Sequence, residues 1–462
     1  MAASEVLHTR LEALLARELA GFRALQGCQQ LTAGASQETY RVQVASDQGT
    51  RLFALRRCPV TLERDAVPGQ IGLDTEARLL QRAGQAGIPV PAVIHVLTAA
   101  DELGQGYLME WLEGETLGQR IVRSEALAQV RPKLARQCGE ALARIHAIDV
   151  DGQLGDILPA VSPDRLVRDT WQTYQALHVP QPMIDYTARW LLQHLPVDSR
   201  RTLVHGDFRN GNLMIDAGGI RAVLDWELAQ IGDPVRDLGW LCVNSWRFGR
   251  SDLPVGGFGT VEDLLEGYRA VSGIDIDRAE LTFWQVFGSF WWAVTTLCMA
   301  NTWRSGETPS LERPVIGRRS SEAQMDCVNL LIPGACHVPD EKALDQGQQL
   351  PMPAELLEGV RRFLRDDVAA GADRHFAFLA KVAANSLGIA QREFLYGPAL
   401  ADAEHARLRQ LLGEGALDDL RWQLVNGLRS TLPLDTAGLD EHLRQTVAGM
   451  LAIDQPHYSA LG

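Results

Sequence analysis

His205-Gly206-Asp207-Phe208-Arg209-Asn210-Gly211-Asn212, followed thirteen residues later by Asp225-Trp226-Glu227, is the stretch on which the reading of this chain turns. A carboxylate and a carboxamide stand at D-x-x-x-x-N spacing, and a second carboxylate closes a short apolar strand expected over 220–224. These are hard oxygen groups, of the kind that bind Mg²⁺, a cation that keeps several waters and takes few protein ligands. Transfer of a phosphoryl group to a hydroxyl needs such a set, together with one acid to orient the acceptor.

Working outward, the upstream segments add what this loop lacks. Phe53-Ala54-Leu55-Arg56 places a guanidinium at the end of an apolar strand, and Glu76 falls twenty residues later in the early turns of a helix expected over 73–84. The turn Gly34-Ala35-Ser36 offers small residues whose amides could approach phosphate oxygens, with the Ser36 hydroxyl added. Strands are expected over 29–32, 39–44, 51–57, 93–97 and 106–111. The last of these runs into Glu110-Trp111-Leu112, whose backbone could hydrogen-bond a purine.

Composition limits the alternatives. A chain of 462 residues exceeds one ordinary domain, and 46% hydrophobic with 22% charged residues reads as a water-soluble protein with a sizeable core. A formal charge of −14 argues against a general nucleic-acid binder, whose affinity comes mainly from Lys and Arg. The seven cysteines are odd in number and include no C-x-x-C pair, so they read as reduced core residues of a cytoplasmic protein. The stretch 281–301 is uncharged and nearly long enough to span a bilayer, but its polar residues are spread along it and its tryptophans sit mid-span. It reads as a buried helix.

Helices dominate from 115 to about 268, and 303–353 reads as loop and linker with a short helix over 320–331. Beyond Pro353 the pattern is all-helical, with one buried face over 374–396 and others over 403–412 and 439–451. The expected division is a nucleotide-binding lobe (1–112), a catalytic and substrate lobe (113–335) and a helical extension of unknown role (353–462).

The Asp207, Asn212 and Asp225 spacing resembles the protein-kinase catalytic loop and metal-binding Asp. Together with Gly34-x-Ser36, Leu55-Arg56, Glu76, His205-Gly206-Asp207 and Gly232-Asp233-Pro234-x-x-Asp237-Leu238, it is similar to the aminoglycoside phosphotransferase and choline kinase-like family. Within that family it looks most like bacterial phosphotransferases similar to the kinase part of acyl-CoA dehydrogenase family members 10 and 11. The resemblance covers about residues 15–335. It implies an α+β, protein-kinase-like two-lobed fold, with a β-rich N-lobe and a helical C-lobe, here followed by an all-α extension.

The resemblance also implies roles. Asp207 would hold the acceptor hydroxyl, Arg209 would reach the transferred phosphoryl group, and Asn212 and Asp225 would bind Mg²⁺. Gly34, Ser36, Arg56, Glu76, Glu110 and Leu112 would hold the nucleotide, ATP with GTP left open. The acceptor would be a small molecule bearing a hydroxyl, a hydroxyacyl thioester or related hydroxy acid; the wider family also admits amino alcohols and aminoglycosides. Arg56 stands where relatives carry lysine, which the resemblance reads as a subfamily variant, and the glycine-rich loop is reduced to Gly34.

Blander readings apply to other residues. His205 reads as a structural brace, Asp237 as an acceptor of backbone hydrogen bonds that shape the loop, and His146 as a core residue. Trp284, Trp291 and Trp292 read as core packing, and the pair Arg318-Arg319 as a solvated surface. A competing reading is a nucleotide-binding scaffold acting through the extension; retention of Asp207, Asn212 and Asp225 argues against it. No membrane partner is expected, and the oligomeric state is left open.

Overall fold

The computed structural model describes residues 2–33, 37–59, 71–197, 199–307, 310–339 and 351–461. Gly34 and Ser36 lie outside the described residues.

A five-stranded antiparallel sheet in the order β1-β2-β3-β5-β4 forms the first lobe, from β1 (Phe22–Ala33), β2 (Glu38–Ser46), β3 (Gly49–Cys58), β4 (Val93–Val96) and β5 (Gln105–Glu110). Successive side chains of a strand point to opposite faces. Tyr40, Val42 and Val44 of β2 and Phe53 and Leu55 of β3 therefore turn to one side, where Leu11, Leu14 and Leu15 of the Ala2–Glu18 helix cover them. Arg56, one residue beyond Leu55, must face the other way. There the Leu73–Gln85 helix packs, carrying Glu76 on its buried face and joining Tyr107 of β5 in the main core through Leu79 and Leu80.

The second lobe is helical around two short hairpins. Thr202–Val204 (β6) pairs with Gln230–Gly232 (β9), and Leu213–Asp216 (β7) with Gly219–Val223 (β8). After β5 the chain crosses between lobes and is fastened to β7 by reciprocal hydrogen bonds between the Glu115 and Ile215 backbones, 2.8 and 2.9 Å. The uncharged stretch is the centre of the Arg278–Arg304 helix, with Leu281, Trp284, Phe287 and Phe290 buried. No helix among the described residues is long and apolar enough to cross a membrane.

Sequence patterning misplaced several helix ends. The periods read over 374–396 and 403–412 belong to one helix, Arg374–Leu412, which continues through Pro398. A short helix, Glu312–Arg318, and the end of the Arg278–Arg304 helix occupy part of the segment read as linker. The Ser320–Leu331 helix stands where it is expected.

The extension does not hang free. Leu408, Leu420, Leu424, Leu443, Val447 and Leu451 belong to the same buried cluster as Met183, Leu191, Met325 and Val328 of the helical lobe. Polar contacts reinforce the seam: Arg429 Nε donates to the fully buried Asp185 at 2.8 Å, and Tyr458 OH to Asp326 at 2.9 Å.

Candidate active site

The loop that carries Asp207 is shaped by a buried carboxylate. Asp237, at the start of the Val235–Leu241 helix, accepts from the His205 backbone N–H at 2.8 Å and the Gly206 N–H at 2.9 Å. His146 Nε2 lies 3.2 Å from the same carboxylate and is itself held by the Tyr268 hydroxyl at 3.1 Å. Burial alone would raise the Asp237 pKa, but the His146 ring and the two amides outweigh it and hold the group below the usual carboxylate range. The turn needs glycine at 206: φ is +83°, and a Cβ would lie 2.2 Å from the Leu228 carbonyl oxygen. His205 is fully buried, with Nε2 3.1 Å from the Leu224 carbonyl oxygen, and burial pushes its pKa down, leaving a neutral ring.

Asp207 is enclosed on three sides. Asn212 Nδ2 donates to Oδ2 at 2.6 Å, while Arg209 Nε (2.9 Å) and Trp240 Nε1 (2.8 Å) both donate to Oδ1. Burial pushes the Asp207 carboxyl up, and the Arg209 charge and the Trp240 N–H oppose that rise. The carboxylate is thus oriented by fixed donors and remains a better proton acceptor than an exposed aspartate.

A hydrogen bond from the Leu224 N–H to the Asn212 carbonyl, 2.9 Å, brings the end of the loop beside Asp225. Asp225 has φ +64°, a left-handed conformation that aspartate tolerates better than most residues. From the first lobe, Arg56 reaches across: Nη1 lies 3.1 Å from Glu76 Oε1, and Nη2 lies 3.0 Å from Asp225 Oδ1 and 3.5 Å from Glu227 Oε2. Its Nε donates to Gln37 at 3.0 Å. Three carboxylates around one guanidinium keep Arg56 protonated despite burial, and burial together with Asp225 and Glu227 raises the Glu76 pKa to about 7 against the pull of Arg56. Arg57, pointing to the other face, pairs instead with Glu38 at 2.8 Å.

At the crossing between lobes, the Glu110 N–H is committed to the Ala92 carbonyl (2.8 Å) and the Trp111 N–H to Leu52 (3.4 Å). The Leu112 N–H has no hydrogen-bond partner among the described residues.

One group of residues escaped the sequence reading. Trp240 and Trp246 form an aromatic cluster with Trp291 and Trp292, ring centroids 5.0–5.2 Å apart for the closest pairs. This cluster touches the loop twice, through Trp240 on Asp207 and through the Arg209 guanidinium 4.3 Å from the Trp246 ring centroid. Trp284 is core, as expected, and Trp291 and Trp292, partly buried, pack against both the main core and this cluster. A D-x-x-x-x-N search cannot reveal partners 33 residues or more away; the density of tryptophan over 226–292 was the available signal.

The model of the phosphotransferase enzyme family matches residues 27–274, more than half of the chain. The chain belongs to that family. It is a phosphotransferase, in a protein-kinase-like two-lobed fold with a helical extension. A second family model, described only as a domain of unknown function, matches residues 370–458 of the phosphotransferase's extension.

Acyl-CoA dehydrogenase family member 10 of Mus musculus is 29% identical over 265 residues, covering 52% of this chain and 23% of that protein. Acyl-CoA dehydrogenase family member 11 of Rattus norvegicus is 29% identical over 305 residues, covering 61% of this chain and 37% of that protein. The phosphotransferase therefore spans well under half the length of these relatives. In three dimensions it superposes on a Ralstonia eutropha protein assigned as an aminoglycoside phosphotransferase with a TM-score of 0.56 at 22% identity, covering 69% of this chain and 96% of that one. That likeness is one of fold.

Proposed function

We propose that this phosphotransferase moves the γ-phosphoryl group of ATP to the hydroxyl of a small hydroxyacyl thioester or related hydroxy acid, in a Mg²⁺-dependent reaction. The observation that carries the reading is the convergence of Asn212, Arg209 and Trp240 on the two oxygens of Asp207. Asp207 would accept a hydrogen bond from the acceptor hydroxyl and take its proton late, because a loose transition state demands little early deprotonation. Arg209, fixed on the Trp246 face, would meet charge on the transferred group.

The donor set fits magnesium. Asn212 commits its Nδ2 to Asp207, leaving Oδ1 for a cation, and Asp225 adds a partly exposed carboxylate. Bound by Asn212 and Asp225, magnesium would neutralise charge on the nucleotide phosphates. Arg56, fixed by Glu76, would clamp those phosphates, and Gly34 and Ser36 would approach them. The Glu110 carbonyl and the Leu112 N–H would receive the base.

The acceptor class rests on the sequence relatives, which are named for acyl-CoA chemistry, and on the four-tryptophan wall beside Asp207, which suits an acceptor with an apolar body. The domain boundaries that go with this reading are 1–112, 113–335 and 353–462, and the protein would work in the cytoplasm. Mg²⁺-dependent ATP turnover should be measured with hydroxyacyl thioesters, hydroxy acids, amino alcohols and aminoglycosides, with Asp207→Ala as control. Turnover confined to amino alcohols or aminoglycosides would overturn the acceptor class. Tight nucleotide binding, indifferent to Asp207→Ala and without turnover on any acceptor, would overturn the reaction.

A further inference from the structure

A cavity of about 410 Å³ lies on the seam between the helical lobe and the extension. It is far from the Asp207 loop in sequence, and none of the residues assigned above lines it. Its floor comes from the Pro182–Gln193 helix of the lobe, and its walls from the Arg374–Leu412, Leu417–Arg429 and Leu439–Asp454 helices of the extension. Such a volume falls in the range of small-ligand sites.

Its polar groups are unusually incomplete. His442 is 1% exposed, yet neither ring nitrogen has a hydrogen-bond partner among the described residues. A neutral imidazole carries one donor and one acceptor, and burying both unmet costs free energy. Burial, with Arg407 and Arg421 nearby, lowers the His442 pKa to about 3, so the ring is neutral at ordinary pH.

The cations that line the cavity differ in one respect. Arg421 is matched by Glu404, with two contacts of 3.0 and 2.6 Å, and Arg318 by Asp454 and Glu393 at 3.1 and 3.2 Å. Arg407 makes no ion pair among the described residues. Its Nη2 donates to the Thr446 hydroxyl at 3.2 Å, and its Nε is buried without a partner. Arg407, whose charge is met only at longer range by Glu404 and Glu441, thus presents an unpartnered Nε beside a neutral ring that wants both a donor and an acceptor. The remaining wall is apolar, built by Met183, Leu400, Val447, Met450 and Ile453.

We propose that this cavity is a binding site for a small monocarboxylate with an apolar body, its carboxylate on Arg407 and His442 and its chain against the apolar wall. The unmet donors select the class: a carboxylate accepts from the Arg407 Nε and the His442 N–H with one negative charge, whereas a phosphate dianion would bring two beside Glu393 and Glu404, and an alcohol offers a single acceptor oxygen. The proposal is independent of the phosphotransferase reading, since binding is measured without nucleotide or acceptor.

The test is the thermal midpoint of the full chain, and isothermal titration, with straight-chain monocarboxylates from propanoate to octanoate. Hexanol and inorganic phosphate serve as controls. The expected result is one site per chain for a carboxylate of intermediate length, with a raised midpoint, and at least ten-fold weaker binding in Arg407→Met. His442→Phe, which removes the two unmet ring nitrogens at nearly the same size, should raise the midpoint without ligand and weaken the response. Both variants should keep the wild-type circular dichroism spectrum and a single cooperative thermal transition, which shows that they fold. The proposal is overturned if no carboxylate of the series binds, if phosphate or hexanol binds as well as the best carboxylate, or if Arg407→Met binds as tightly as the wild type. Full satisfaction of His442 by ordered water alone would give the first of these outcomes.

Discussion

Trp240 Nε1 donates a hydrogen bond of 2.8 Å to Asp207 Oδ1, tying an aromatic wall to the carboxylate that would hold the acceptor. A hydrogen bond to a charged group contributes about 1.5–3 kcal/mol, so Trp240→Phe is expected to lower kcat roughly ten-fold or more. Burial raises the Asp207 pKa and the Trp240 N–H lowers it, so removing the N–H shifts the group further upward. The acid limb of the pH–rate profile should therefore move to higher pH. A fall in kcat with an unmoved acid limb would show that Trp240 acts on substrate and not on Asp207.

Asp207→Ala itself should reduce kcat by about 10²–10⁴-fold, the range for a positioned proton acceptor. Nucleotide affinity, read by isothermal titration, should change little. A comparable loss of nucleotide affinity would place Asp207 in nucleotide binding instead.

Arg56 and Arg57 are neighbours in sequence with opposite fates, one among three carboxylates and the other paired with Glu38. Arg56→Ala should raise KM for ATP strongly and destabilise the fold by roughly 3 kcal/mol, because it leaves Glu76 buried and unpaired. Arg57→Ala should do much less to either. Steady-state kinetics and urea denaturation on the two variants decide it, and equal KM effects would refute the assignment of Arg56 to phosphate binding.

The Glu76 pKa, about 7 in the folded chain against an ordinary value near 4.5, has a consequence for pH. Between those values the folded state holds a proton that the unfolded state has released. This group's contribution to stability is therefore full below about pH 4.5 and declines as pH rises to about 7. Glu76→Gln, which cannot ionise, should flatten that part of the stability–pH curve. An unchanged slope in the variant would show that another group is responsible.

Asp237→Ala removes the acceptor for two buried N–H groups and for His146. A loss of about 3 kcal/mol or more is expected from stranding those donors, measured by urea denaturation. Asp237 has a lowered pKa, so its contribution is present above about pH 4 and is lost as pH falls below it. A variant that unfolds at the wild-type urea concentration would remove Asp237 from its place as the loop's anchor.

What could be read from the sequence follows a physical division. Asp207, Asn212 and Asp225 lie within one loop and one hairpin, so their spacing in sequence carries their proximity in space. Arg56 and Glu76 were legible because strand alternation and helical periodicity decide which face each takes. The tryptophan wall was not, because its members come from two helices and a short turn, and only tertiary packing brings Trp240 and Trp246 to Trp291 and Trp292. Arg318 and Arg319, read as a solvated pair, are bound to Asp454 and Glu322, since a charge pattern alone does not show what docks on it. Helix ends were misplaced where a proline continued a helix, as at Pro398, whose breaking tendency the surrounding packing overrides.

The helical lobe and the extension share one apolar cluster, even though separate family models match them. Detaching residues 353–462 would strip cover from Met183, Leu191, Met325 and Val328 and strand Asp185 without Arg429. A lineage that shed the extension would have had to repaint that face with polar residues. Kinase relatives that lack it should therefore differ most from this chain along the Pro182–Gln193 and Ser320–Leu331 helices.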